Sequence, residues 1–494
     1  MKKILSLSVA LILVAGIASV AKSVDIDNNV YSYDATGYSK DRHIVQSSDG
    51  QIVILYQAGS SAPVPGIVAR KSTDNGATWT DLAGVAGAST QVDDTSSCNF
   101  SICIDANNNI YVVYDDMVDK LYPDYLVYFK KLTYSAGTWT MGNEKIVSGS
   151  SDEDSGNSCI IRESDGRIWV AYGHEAGSGG RLKATYSYDE FQNRIDTNVT
   201  WPDPGYFYDD FHPALVIRNG YPFIVYQDSE EGYNLWWSSW DGNWWSSPKQ
   251  VSTIDCDDDN FSVAMIGNDV HVVASRSGSI KHTYYNGTSW STPETIASSP
   301  DGFPSPSLTT NNVDLWCFAS IHYPDPESSY KANIKYKRRK GSTWDSTWTA
   351  ITTDNTWNYC PTTPSIVTGD IPFVWRYGGQ VAFPPPYTVK FDRLTGPPAP
   401  PNVDDGVSGW SSDNTPTFTW DIPPDPKGIE GYWWAVDDPT PDTGGTWTTA
   451  RTATTAPLSN GTHTFYVKAR NGNGLLGPAG SHVCQIDATA PGAP

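Results

Sequence analysis

The chain has 494 residues, 33 of them basic and 55 acidic, for a formal charge of −22. That balance argues against a nucleic-acid partner, which needs a basic face to displace counterions. Twenty Trp and 28 Tyr beside 42 Gly and 34 Pro read as short aromatic strands cut by tight turns.

The first element is a processing signal. Lys2 and Lys3 precede an apolar run from Ile4 to Ile17, and Ser19 and Ala21 are small residues at cleavage spacing. A signal peptide over 1–21 is expected, and with it a secreted or cell-surface protein of bacterial type. No later stretch is long enough to span a bilayer as a helix. Seven Cys without a C-x-x-C pair fit neither a zinc ribbon nor a disulfide scaffold.

From Ile52 onward one phrase recurs: a polar turn, then five mostly apolar residues. Its copies are Ile52-Val53-Ile54-Leu55-Tyr56, Ile110 to Tyr114, Ile168 to Tyr172, Pro222 to Tyr226, Val270 to Ala274, Leu315 to Ala319 and Ile371 to Trp375. These runs do not alternate, so both faces of each strand are expected to be covered. No helical periodicity supplies covering layers, which leaves neighbouring sheets to do so. A short strand precedes each copy, as in His43-Ile44-Val45, Ser158 to Ile161, Pro213 to Val216 and Pro364 to Val367. A third follows, as in Asn234 to Trp237, Ile280 to Tyr284 and Asn333 to Tyr336. Seven four-stranded units predict an all-β, seven-bladed β-propeller over 22–394. Asp25 to Tyr33 is expected to lend an outer strand to the last blade and close the ring.

Pro397 to Pro401 forms a stiff linker, placed at 395–401. Beyond it, Thr415 to Trp420, Gly431 to Val436 and Gly461 to Ala469 predict a small β-sandwich over 402–494. This segment resembles the fibronectin type III or Ig-like modules of bacterial surface proteins. Asp487 to Pro494 looks like the junction to a further module.

Ser72-Thr73-Asp74-Asn75-Gly76-Ala77-Thr78-Trp79 resembles the Asp-box (BNR repeat) of sialidase-like propellers, S-x-D-x-G-x-T-W. Worn versions stand at Ser135 to Trp139 and Asn286 to Trp290. The resemblance covers roughly residues 25–394. It implies that Asp74 is a structural residue of an outer-rim turn. The family's catalytic residues do not carry over. Its Arg-Ile-Pro motif is absent around Arg42, Asp49 is the only acid between Arg42 and Ser72, and no Glu lies between Gly232 and Pro293.

In such a ring, chemistry is expected over the central channel. Arg42 and His212 fall at the starts of inner strands. Asp115-Asp116, Gly173-His174, Gln227-Asp228, Ser275-Arg276, His322 and Arg376-Tyr377 follow second strands. This inventory suits an acidic glycan. His212, His174, Tyr226 and Tyr377 are candidate acid/base groups, and Arg42, Arg276, Arg376 and Asp228 candidate substrate-binding groups. The expected activity is that of a glycoside hydrolase or polysaccharide lyase on an extracellular polysaccharide; the alternative is a glycan-binding or adhesion propeller. Trp236, Trp237, Trp240, Trp244 and Trp245 are candidates for sugar stacking or for packing between blades. Asp255, Asp257, Asp258 and Asp259 form either a Ca²⁺ site or an exposed acidic loop.

Overall fold

The computed structural model describes residues 23–489 apart from 33–34, 38–39, 60, 83–89, 94–98, 118–124, 150–154, 176–179, 200–210, 229–233, 258–259, 299–304, 323–330, 355, 379–384, 426–427 and 473. The expected signal peptide lies outside these residues. No helix among them is long and apolar enough to cross a membrane. The chain divides into two compact units between Leu394 and Thr395.

The larger unit is a β-propeller. Its described strands form seven antiparallel sheets of four or five strands each; six run in chain order from the inside outward, and the seventh takes the first described strand as its outermost. The second strands are Ile52–Gln57, Ile110–Met117, Ile168–Glu175, Tyr221–Asp228, Asp269–Arg276, Asp314–His322 and Ile371–Tyr377. Each contains one copy of the repeated apolar phrase. Ile52–Gln57 shows why the phrase does not alternate. Ile52, Ile54 and Tyr56 pack with Val389 and Phe391 of the seventh blade. Val53 and Leu55 pack with Ile102 and Val112 of the second. Both faces are dry, and a fully buried side chain of this size contributes roughly 1.5–3 kcal/mol.

The ring closes through its ends. Val24–Val30 pairs antiparallel with Tyr387–Leu394, with Val24 opposite Phe391 and Val30 opposite Tyr387. The inner strand Ile44–Gln46 touches both the second blade and the seventh. One expected strand is displaced. The seventh inner strand is Asn358–Thr362, not 364–367. Pro364 has no N–H to give a ladder, and Cys360 takes a positive φ of 50° where the register shifts between Tyr359 and Thr362. Ile366 instead bridges Thr310 of the sixth blade in parallel.

Two outer turns share one design. In the first blade, Asp74 Oδ1 accepts from the Thr78 N–H at 2.9 Å and Oδ2 from its hydroxyl at 2.6 Å. Ser72 Oγ accepts the Gly76 N–H at 2.7 Å. In the third blade, Asp189 accepts from Asn193 through N–H and Nδ2, and Ser187 Oγ accepts the Phe191 N–H. Phe191 holds the positive φ of 60° that Gly76 has at 89°. A Cβ on Gly76 would fall 1.8 Å from the Phe391 ring.

The second unit is a β-sandwich. One sheet joins Val403–Asp404, Thr417–Trp420 and Thr452–Thr454. The other joins Trp410–Ser411, Gly480–Ile486, Gly461–Asn471, Ile429–Val436 and Thr446–Thr448. Between them lie Phe418, Trp420, Tyr432, Phe465, Val467 and Ala469. The Phe418 and Phe465 rings stack at 4.2 Å.

Candidate active site

Inner strands begin and second strands end at the same end of the ring, so residues distant in sequence converge there. The first blade contributes Lys40 and Asp41, just before its inner strand. Their side chains are fully buried and paired, with Lys40 Nζ 3.0 and 3.1 Å from the two carboxylate oxygens. The second blade contributes Asp115, 4% exposed, which directly follows its apolar run. Asp115 Oδ2 accepts the Asn157 N–H and Oδ1 the Ser158 hydroxyl, each at 2.6 Å. Asn157 takes a left-handed φ of 57°.

Burial raises the Asp115 carboxyl to about 7. The bonds from Ser158 and Asn157 and the charge of Lys40 pull the other way, and the charge of Asp41 adds to the rise. Desolvation wins because it penalises the ionised form. A carboxyl poised there can hold and release a proton at neutral pH.

The third blade contributes His174, whose Nδ1 lies 2.9 Å from Ser155 Oγ. Burial, then the charges of Lys183, Arg181 and Arg194, lower His174 to about 3. Its imidazole is therefore neutral across the physiological range. Three cations around one histidine stand out in so acidic a chain.

The remaining predicted residues are distributed differently. His212 is 8% exposed at the start of the fourth inner strand, opposite Gln227. Tyr226 is buried in the core between the third and fourth blades. Arg376 is 1% exposed and sandwiched between Tyr359 and Tyr387, at 5.1 and 4.9 Å from their ring centres. Tyr377 carries Lys390 Nζ over its ring at 4.2 Å. Arg276 is paired with Asp255 at 2.6 Å. The side chains of Asp228 and His322 lie outside the described residues.

Arg42 reaches across the axis. Its guanidinium donates to the carbonyls of Val263 at 2.6 Å, Leu308 at 2.7 Å and Thr363 at 3.4 Å, in the fifth, sixth and seventh blades. Burial pulls it down to about 10 against the opposing pull of Asp41. A cation committed to three main-chain carbonyls ties opposite sides of the ring together.

The acidic run is divided as well. Asp255 faces Arg276 and Lys281, Asp257 accepts the Ser277 N–H, and Asp258 and Asp259 lie outside the described residues. Of the Trp cluster, Trp237 stacks on Phe223 at 4.9 Å, and Trp240 and Trp245 edge against Trp169. Trp244 is 76% exposed.

No family model and no curated protein matches the chain. Solved structures do. Two structures of an ulvan lyase, one of them bound to -[GlcA(1-4)Rha3S]-, are 10% identical and superpose with TM-scores of 0.52 and 0.50, over 76% of this chain and 96% of theirs. A Hadza microbial sialidase gives 12% identity and a TM-score of 0.41 over 68% of this chain and 74% of its own. The α-L-arabinanase of Penicillium chrysogenum gives 11% and 0.44 over 65% and 98%. At these identities the likeness concerns the fold.

Sequence reasoning named Asp115 only as one residue of an inventory and passed over Lys40 and Asp41. The available signal was an acid set directly after a fully apolar strand, where other blades carry Gly173, Gln227 or Ser275. Nothing in the spacing marks Lys40 and Asp41.

Proposed function

We propose that this chain is a secreted, carbohydrate-active propeller that cleaves an acidic extracellular glycan by proton transfer where the first three blades meet. Asp115 carries the reading: it is a buried carboxyl held near 7, within the field of the Lys40–Asp41 pair and bonded to the start of the next inner strand. In this reading Asp115 moves the proton. His174 on the third blade and His212 on the fourth are the further acid/base candidates, while Tyr226 and Tyr377 lie in other parts of the ring. Arg181, Lys183 and Arg194 around His174 favour a substrate bearing carboxylates or sulfates. The turns at Ser72 and Ser187 fit a sialidase-like propeller, and the tail a fibronectin type III-like module.

One propeller of similar fold was solved with a glucuronate-containing repeat bound, so uronate polysaccharides come first in a screen. New reducing ends with ultraviolet absorbance from an unsaturated uronate would identify a lyase, and reducing ends alone a hydrolase. Asp115→Asn is expected to lower either signal by roughly a hundred-fold or more with the fold intact. Binding without any product would replace the enzyme by a glycan-binding propeller.

A further inference from the structure

The β-sandwich carries a second set of titratable side chains, apart from the propeller. Asp404 ends the strand Val403–Asp404, Asp405 follows it, and His482 lies on Gly480–Ile486 in the opposite sheet. His482 Nε2 lies 3.1 Å from Asp405 Oδ1 and 3.9 Å from Asp404 Oδ1. All three donor atoms fall within 4.8 Å of one another. The Asp405 side chain is 5% exposed and that of Asp404 72%. The His482 side chain is 24% exposed, its Nε2 atom is shielded, and among the described residues no hydrogen bond is directed at that atom. Each of the two carboxylate oxygens also accepts a backbone N–H at 2.9 Å, Asp404 Oδ1 from Gly406 and Asp405 Oδ1 from Val407, which holds both oxygens in place beside Nε2.

We infer that Asp404, Asp405 and His482 form a binding site for a first-row divalent cation of the Zn²⁺ type. Ligands about 2.0–2.2 Å from such an ion sit roughly 3.3–3.6 Å apart when tetrahedral; the two separations from Nε2, 3.1 and 3.9 Å, lie on either side of that range, and the two carboxylate oxygens lie within 4.8 Å of each other. One imidazole nitrogen with two carboxylate oxygens suits Zn²⁺ and its neighbours. Ca²⁺ takes six to eight oxygens. His482 would give its Nε2 lone pair, each aspartate one oxygen, and exposed Asp404 leaves the fourth position open to water. The ion would clip the first strand of the module to its last, across the two sheets.

Chelator-stripped full chain titrated with Zn²⁺ by calorimetry is expected to bind one equivalent at this site. Co²⁺ is expected to give the visible bands of a tetrahedral nitrogen/oxygen site without the near-ultraviolet thiolate band that a cysteine site would add. His482→Gln is expected to weaken binding by about ten-fold or more. Asp404→Asn, at an exposed position that threatens the fold least, is expected to weaken it in the same direction, with unchanged unfolding of the metal-free chain as control. Absence of stoichiometric binding to the wild type would overturn the site and leave an ion pair. So would affinity unchanged in both variants, or a thiolate-dominated Co²⁺ spectrum.

Discussion

Two aspartates, one on the outer rim and one at the channel mouth, show what position does to the same carboxyl. Asp74 is exposed, and bonds from Thr78 and Ser72 outweigh its slight burial and hold it below the usual carboxylate range. Asp115 also accepts two short bonds, yet sits near 7 because burial outweighs them. Hydrogen bonding is similar in the two; access to water differs. On the rim an ionised aspartate organises a turn at little cost, whereas at the mouth the same charge is held in reserve.

The comparison can be broken most forcefully at Arg42, a half-buried cation engaged by carbonyls across the ring. Arg42→Met leaves the carbonyls of Val263, Leu308 and Thr363 without their donor. A loss of about 3–5 kcal/mol in denaturant unfolding is expected; a loss under about 1 kcal/mol would mean that water fills the channel and that the interior is not dry. Asp115→Asn tests the mouth directly. The folded carboxyl near 7 binds its proton more tightly than the unfolded one at its ordinary 3.8. Its contribution to wild-type stability is therefore complete below about pH 4 and is lost as pH rises through 7, by on the order of a few kcal/mol. The Asn variant should flatten that slope in thermal unfolding between pH 4 and 8.5, and glycan cleavage should fall by roughly a hundred-fold or more. An unchanged slope would place the charge in water.

Smaller effects are expected on the rim. Gly76→Ala forces a Cβ into the Phe391 ring at a positive φ, for about 1–2 kcal/mol in chemical unfolding. Asp74→Ala removes the Thr78 bonds from an exposed turn and should cost no more than about 1 kcal/mol, with activity untouched. A large activity loss there would erase the distinction between rim and mouth.

Legibility in the sequence follows the same division. Strands covered on both faces are mostly apolar along their whole length, so Ile52 to Tyr56 and its six sister runs announced the propeller, and Asp25 to Tyr33 ahead of them its closing strand. Turn chemistry was legible at Asp74 because Gly76 and Trp79 complete a known phrase. The equivalent turn at Asp189 was not, because Phe191 occupies the glycine position and packs its ring against Phe129. The inner strand at Asn358 was missed because a backbone bulge leaves no periodic mark. Arg42 was legible as a residue near the axis, but its engagement by carbonyls 221 to 321 positions away depends on how the ring closes. The clustering of Lys40, Asp41 and Asp115 has the same origin.

The closing seam sets a mechanical property of the ring. Because Val24 pairs with Phe391 and Val30 with Tyr387, the outgoing chain leaves both strands at the same end of the pairing. Tension applied through the two ends peels the seam one rung at a time instead of shearing all its rungs together. During synthesis, the earliest of these segments to emerge waits for nearly the whole ring to be made before it finds its partner.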